Sequence, residues 1–166
     1  MARKTFKRGE GSEHFTKMIR STMETPAWRA LSPTAQALYP WLKLEWKGVD
    51  NNNNGKIYLS VRQAAERMGV SINTAAKAFH DLQAKGFIRV NKVARLGSGG
   101  NAKGHSYYLM ELRHKIIGKD VDKISKQIFR EWREGRDFSV IKATTNNPNG
   151  LNGKTESQPF FDDEPS

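Results

Sequence analysis

Residues 71–80 read Ser-Ile-Asn-Thr-Ala-Ala-Lys-Ala-Phe-His, and these types at these spacings suit contact with the edges of base pairs. Ala75, Phe79 and Leu82 recur at helical spacing and share one apolar face. The opposite face then carries Ile72, Asn73, Ala76, Lys77 and His80. An Asn carboxamide can pair with the edge of adenine, and a Lys ammonium can reach guanine or a phosphate. Ile72 and Ala76 could touch a thymine methyl group. Ser71 and Thr74, beside the free N–H groups of a helix start, suit phosphate. Arg62, at the start of the preceding helix, could clamp a nucleic-acid backbone. The competing reading is an ordinary solvated helix face.

A second basic set lies in the Gly-rich stretch of residues 95–104, where Lys92, Arg95 and Lys103 could follow a minor groove or its phosphates. Alternatively, this is a hairpin with ordinary solvated lysines. The stretch fails as a nucleotide-binding loop. Ala102 stands before Lys103 where glycine is needed, no Ser or Thr follows, and the flanks read as two strands rather than strand then helix. Arg3, Lys4, Lys7 and Arg8 form a basic arm over residues 1–12, either a further groove contact or an untethered terminus.

No catalytic, metal or cofactor site emerges, and the chain is not read as an enzyme. His14, His80, His105 and His114 lack ligand spacing. Asp120 and Asp122 suit a helix start. Tyr107 and Tyr108 fall in a strand, where packing is the simpler role.

The elements that position these residues follow from local signals. Phe15, Met18, Ile19 and Met23 suggest a first helix that Thr25-Pro26 breaks. Ser32-Pro33 starts a second, with Ala35, Leu38, Leu42 and Trp46 on one face and a kink expected at Pro40. Asn51-Asn52-Asn53-Asn54-Gly55 reads as a polar loop with no core-forming residue, and residues 56–59 as a short strand. Ser60 and Gln63 form a capping box for a helix over 61–68. Gly69 can stop it, and Ser71 caps the next helix, over 71–85. Residues 87–93 and 106–112 predict a hairpin. Val121, Ile124, Ile128, Phe129 and Trp132 predict an amphipathic helix over 121–134, packed against Trp41, Trp46 or the first helix, or used in a homodimer. Its Lys123, Lys126, Arg130 and Arg133 could add nucleic-acid contacts.

Charge supports an anionic partner. The chain has 166 residues, 28 Lys+Arg against 17 Asp+Glu, and a net charge of +11. Residues 144–166 hold Lys154 against Glu156, Asp162, Asp163 and Glu164, so residues 1–143 carry +14. A field of that size attracts polyanions. There are no cysteines, which excludes disulfides and thiolate chemistry, and no apolar run long enough to span a membrane. A cytoplasmic, nucleoid-associated location is expected. The polar, acidic stretch 139–166 reads as a disordered tail, with Pro159-Phe160-Phe161-Asp162-Asp163-Glu164-Pro165 as a candidate protein-docking end.

Residues 57–112 resemble a winged helix-turn-helix domain. The run 61–80 carries the likeness, with Ala65 where two helices touch, Gly69 as turn glycine and Val70 as buried turn residue. Asp81-Leu82-Gln83-Ala84-Lys85-Gly86-Phe87-Ile88 resembles the helix end and wing entry of bacterial repressors. The chain is similar to GntR-type DNA-binding domains and to the amino-terminal winged helix of phage replication proteins. Residues 28–88 also look like phage- and plasmid-borne proteins with the same upstream helix. Ala75 and Ala78 depart from the pattern, standing where larger aliphatics are common.

The resulting expectation is an α+β winged helix-turn-helix fold. A three-helix core with a β-hairpin wing spans 13–115, with an additional C-terminal helix over 119–135. The expected function is sequence-specific double-stranded DNA binding, as a transcriptional repressor, with a phage or plasmid replication initiator as the alternative. A structural or RNA-binding protein ranks last, because the aromatics lack base-stacking spacing.

Overall fold

The computed structural model describes residues 13–96, 102–115, 122–123 and 126–142. Two single-turn helices, α1 (Arg20–Met23) and α2 (Pro26–Arg29), precede three longer ones: α3 (Pro33–Leu44), α4 (Val61–Met68) and α5 (Ile72–Ala84). The α3, α4 and α5 helices pack on one another as a three-helix core.

Local chemistry sets most helix ends. Ser32 accepts the Ala35 N–H (3.2 Å) and Pro33 opens α3. At α4 the Ser60–Gln63 capping box closes in both directions. Gly69 ends α4 at φ +67°, the left-handed region that glycine adopts at little cost. The α3 helix continues through Pro40, which has no N–H to give the Gln36 carbonyl.

Small residues explain how α5 is seated. Ala75 and Ala78 are fully buried, as are Ala64 and Ala65 on α4. The space that larger aliphatics would fill is closed by close approach of the helices, while Phe79 stacks on Tyr107 at 5.4 Å.

The wing is antiparallel. Strand β1 (Ile88–Lys92) pairs with β4 (Ser106–Leu109), with Val90 opposite Tyr107 and a bulge between Val90 and Lys92. Between them, β2 (Arg95–Leu96) pairs with β3 (Ala102–Lys103). The wing tip at 97–101 lies outside the described residues, as do the basic arm, Val121, Ile124 and residues 143–166. The strand expected at 56–59 is reduced to one bridge, Ile57 to Tyr107, because the chain turns at Ser60 into α4. Asn54 contradicts the reading of its loop as free of core residues. It is buried, accepts the Leu109 N–H and donates to the carbonyls of Leu109, Leu112 and Arg113.

Two helix expectations fail. Only Arg20–Met23 of the first stretch is helical, and Phe15, Ile19 and Met23 are exposed. Polar contacts hold this segment instead. Lys43 donates to the Lys17 carbonyl, and Thr22 donates to Glu111. The expected C-terminal helix is also not found among the described residues. A hairpin of β5 (His114–Lys115) with β6 (Asp122–Lys123) comes first, then a single 3₁₀ turn over Ile128–Arg130. Short-range bonds such as Arg130 N–H to the Gln127 carbonyl replace the i to i+4 ladder. Tertiary packing decides this. Phe129 stacks on Phe87 at 4.8 Å, and Phe87 meets Trp28 and Tyr39 edge-on at 5.6 and 5.5 Å. Phe129 and Trp132 thus pack on their own domain, but against Phe87 and Lys85 rather than Trp41 or Trp46. Gly86 lies beneath: at φ +81°, a side chain there would meet the Phe138 ring and the Phe129 backbone.

The tail boundary also moves. Residues 139–142 are described and docked, through Ile141 on Gln83 of α5. Among the described residues, no helix is long and apolar enough to cross a membrane.

Candidate nucleic-acid interface

The α5 helix sits with its first turns facing outward. Ser71, Asn73 and Lys77 are exposed, Ile72 is 53% exposed, and Ala76 and His80 are half-buried. The residues expected to read base edges therefore share one accessible face, backed by buried Ala75, Ala78, Phe79 and Leu82. An isoleucine more than half exposed at a helix start, among polar neighbours, is available for contact with a methyl-bearing groove.

Ser71 and Thr74 come together, but on each other. The Ser71 Oγ accepts the Thr74 N–H (3.1 Å), and the two hydroxyls are 2.8 Å apart. Their first duty is the helix cap, and an anion would meet the N–H groups of the first turn, which have no intrahelical acceptor. Arg62 is exposed at the start of α4, and Lys92 is exposed at the end of β1. Backbone pairing sets Arg95 opposite Lys103, so two basic positions face each other across the hairpin.

The wing root is held by polar contacts of a buried histidine and an exposed asparagine. His105 accepts the Ala94 N–H at Nδ1 (2.9 Å), and Asn91 at the bulge donates to the Gly55 carbonyl (2.8 Å). Tyr58, exposed, lies against Gly104, where a side chain would meet its ring. Burial holds the His105 pKa below its usual 6.5, although the Lys142 backbone favours the charged form. Burial, Lys142 and His105 together lower that of His80. Tyr107 and Tyr58 are the other titratable groups there, and burial pushes Tyr107 above its usual range.

These shifts set a pH dependence. The folded state favours neutral histidines, so stability is fully present above 6.5, the unfolded value, and is lost as pH falls toward the lowered folded values. Urea midpoints are expected to fall between about pH 7.5 and about pH 5.5, and His105→Gln, which keeps an acceptor for Ala94, should flatten the fall. An unchanged slope in that variant would assign the dependence elsewhere.

Residues 137–142 form a part of the surface not anticipated from sequence. Trp132 Nε1 donates to Asp137 (2.8 Å), and Phe138 N–H donates to the Ala84 carbonyl (2.8 Å). Gln83 and Ile141 exchange two hydrogen bonds. Phe138, Val140 and Ile141 are the apolar signal in this stretch, and Phe138 packs against the core beside Gly86.

Residues 29–88 match the family model of a helix-turn-helix domain, a span that runs from the end of α2 to the first residue of β1. No curated protein and no solved structure matches the chain. The matched span holds the capped α4, the Gly69 turn and α5, a DNA-binding helix-turn-helix whose flanking two-stranded sheet fits an α+β winged type.

Proposed function

We propose that this protein is a sequence-specific double-stranded DNA-binding regulator, acting as a repressor, that inserts the first turns of α5 in the major groove. The supporting observation is the exposed set Ile72, Asn73 and Lys77 on a helix whose back is closed by alanines and Phe79. Asn73 reads a base, Lys77 reads a base or holds a phosphate, and Ala76 packs on a methyl group. Arg62 and Lys92 fix the register on phosphates. Occupancy of a promoter by such a domain suffices for repression.

Asn73→Ala and Lys92→Ala separate the roles. The first is expected to cost about 1–3 kcal/mol on the preferred site and to relax sequence choice. The second should weaken all duplexes alike and lower the salt slope by about one. Binding titrations on selected and scrambled duplexes read both. Equal behaviour of the two variants would remove α5 from the groove. Genome-wide occupancy at promoters supports the regulator, whereas occupancy confined to a replication origin would replace it by an initiator.

A further inference from the structure

The side of α5 that carries Asn73, Ala76 and His80 continues along the helix to Gln83 and Ala84, at steps of three and four residues. Gln83 is only 3% exposed and Ala84 is buried. What covers them is the C-terminal segment. Ile141 N–H donates to Gln83 Oε1 (2.9 Å) and Gln83 Nε2 donates to the Ile141 carbonyl (3.2 Å), so a single residue of the segment takes up both polar atoms of a buried amide. Phe138 N–H adds a bond to the Ala84 carbonyl. The outward face of the recognition helix is therefore open over its first half and closed over its second, and the closing segment belongs to this chain.

The next residue, Lys142, is exposed. It lines the same cleft as His80, whose neighbour Phe79 stacks on Tyr107 of β4 at 5.4 Å. The segment thus follows α5 and delivers a cation near the place where that helix meets the wing. A DNA backbone that leaves a groove filled by α5 and passes toward the wing crosses this junction.

We propose that residues 138–142 are part of the DNA-binding surface: they end the reading face of α5 at His80 and give Lys142 to a phosphate between helix and wing. This rests on the major-groove reading above. The simpler alternative is a structural brace whose lysine makes no contact with DNA.

The test uses the full chain and its Lys142→Ala and Lys142→Glu variants, with urea unfolding to show that both remain folded. Affinity is measured against salt on the preferred duplex and on a scrambled one. Lys142→Ala is expected to lower the salt slope by about one and to weaken both duplexes to a similar degree, roughly three- to tenfold at about 0.1 M salt. Lys142→Glu should weaken both further. An unchanged slope and affinity in Lys142→Ala, with site preference intact in the unsubstituted protein, overturns the phosphate contact and leaves the α5 reading standing. Absence of duplex binding by the unsubstituted protein overturns both.

Discussion

Glu111→Leu is expected to destabilise the fold by about 3–5 kcal/mol, a large share of the total for one domain. Glu111 sits just past β4 and almost fully out of solvent, its side chain 6% exposed and that of Lys43 4%. Its carboxylate accepts from Lys43 Nζ (2.8 Å), the Tyr39 hydroxyl (3.0 Å) and the Thr22 hydroxyl (2.6 Å). Lys43 also donates to the Lys17 carbonyl. Burial and the Glu111 charge push the Tyr39 hydroxyl well above its ordinary 10.0, so it serves as a donor and not as an acid. Leucine removes the counter-ion and leaves the ammonium in a dry site with the Lys17 carbonyl and the Tyr39 ring, neither of them charged, as its remaining partners. The pair itself contributes far less than this loss. The double variant Lys43→Met/Glu111→Leu should therefore recover most of the stability, because no charge is then left buried. Urea unfolding of the two single variants and the double variant gives the cycle. A loss under about 1 kcal/mol in Glu111→Leu would show that water reaches the pair, as it does for surface ion pairs.

The same network shows why part of the fold was legible in the sequence and part was not. Ser32, Ser60 with Gln63, Gly69 and Ser71 act on backbone groups within a few residues, so their signals survive in a short window. The face of α5 is a periodicity and was legible for the same reason. Glu111 and Lys43 are 68 positions apart, and neither carries a local mark of its partner. Asn54 looked like loop material because an Asn run is usually solvated, yet its carboxamide replaces a missing backbone partner for the turn after β4. The stretch at 121–134 misled in the opposite direction. Its apolar residues do recur at steps of three and four, but the aromatic slot left by Gly86 and Phe87 outweighs the local preference for a helix. The candidate interface was legible in its first turns. It was not legible at its far edge, where the bonds from Gln83 to Ile141 set the limit.

Phe129→Ala should cost about 3–5 kcal/mol, comparable with losing a central core aromatic and unlike trimming an appended helix. Phe129 is 0% exposed and lies almost parallel to Phe87, at an interplanar angle of 11°. Phe87 in turn meets Trp28 of α2 and Tyr39 of α3, so the ring closes a cluster drawn from four parts of the chain. Truncation to alanine opens a hole that the stiff Gly86 turn and the flanking rings can only partly close. Ile128 separates this arrangement from a helical stripe. It is only half-buried at the same 3₁₀ turn, so Ile128→Ala should cost no more than about 1 kcal/mol. A continuous amphipathic helix would bury both residues on adjacent parts of one face and make the two losses alike. Urea or thermal unfolding of the two variants decides between them, and near-equal losses would restore the helix. A loss confined to Phe129 would place residues 126–142 inside the folding unit. The segment that reaches α5 beside His80 is then anchored by the same core that seats α5.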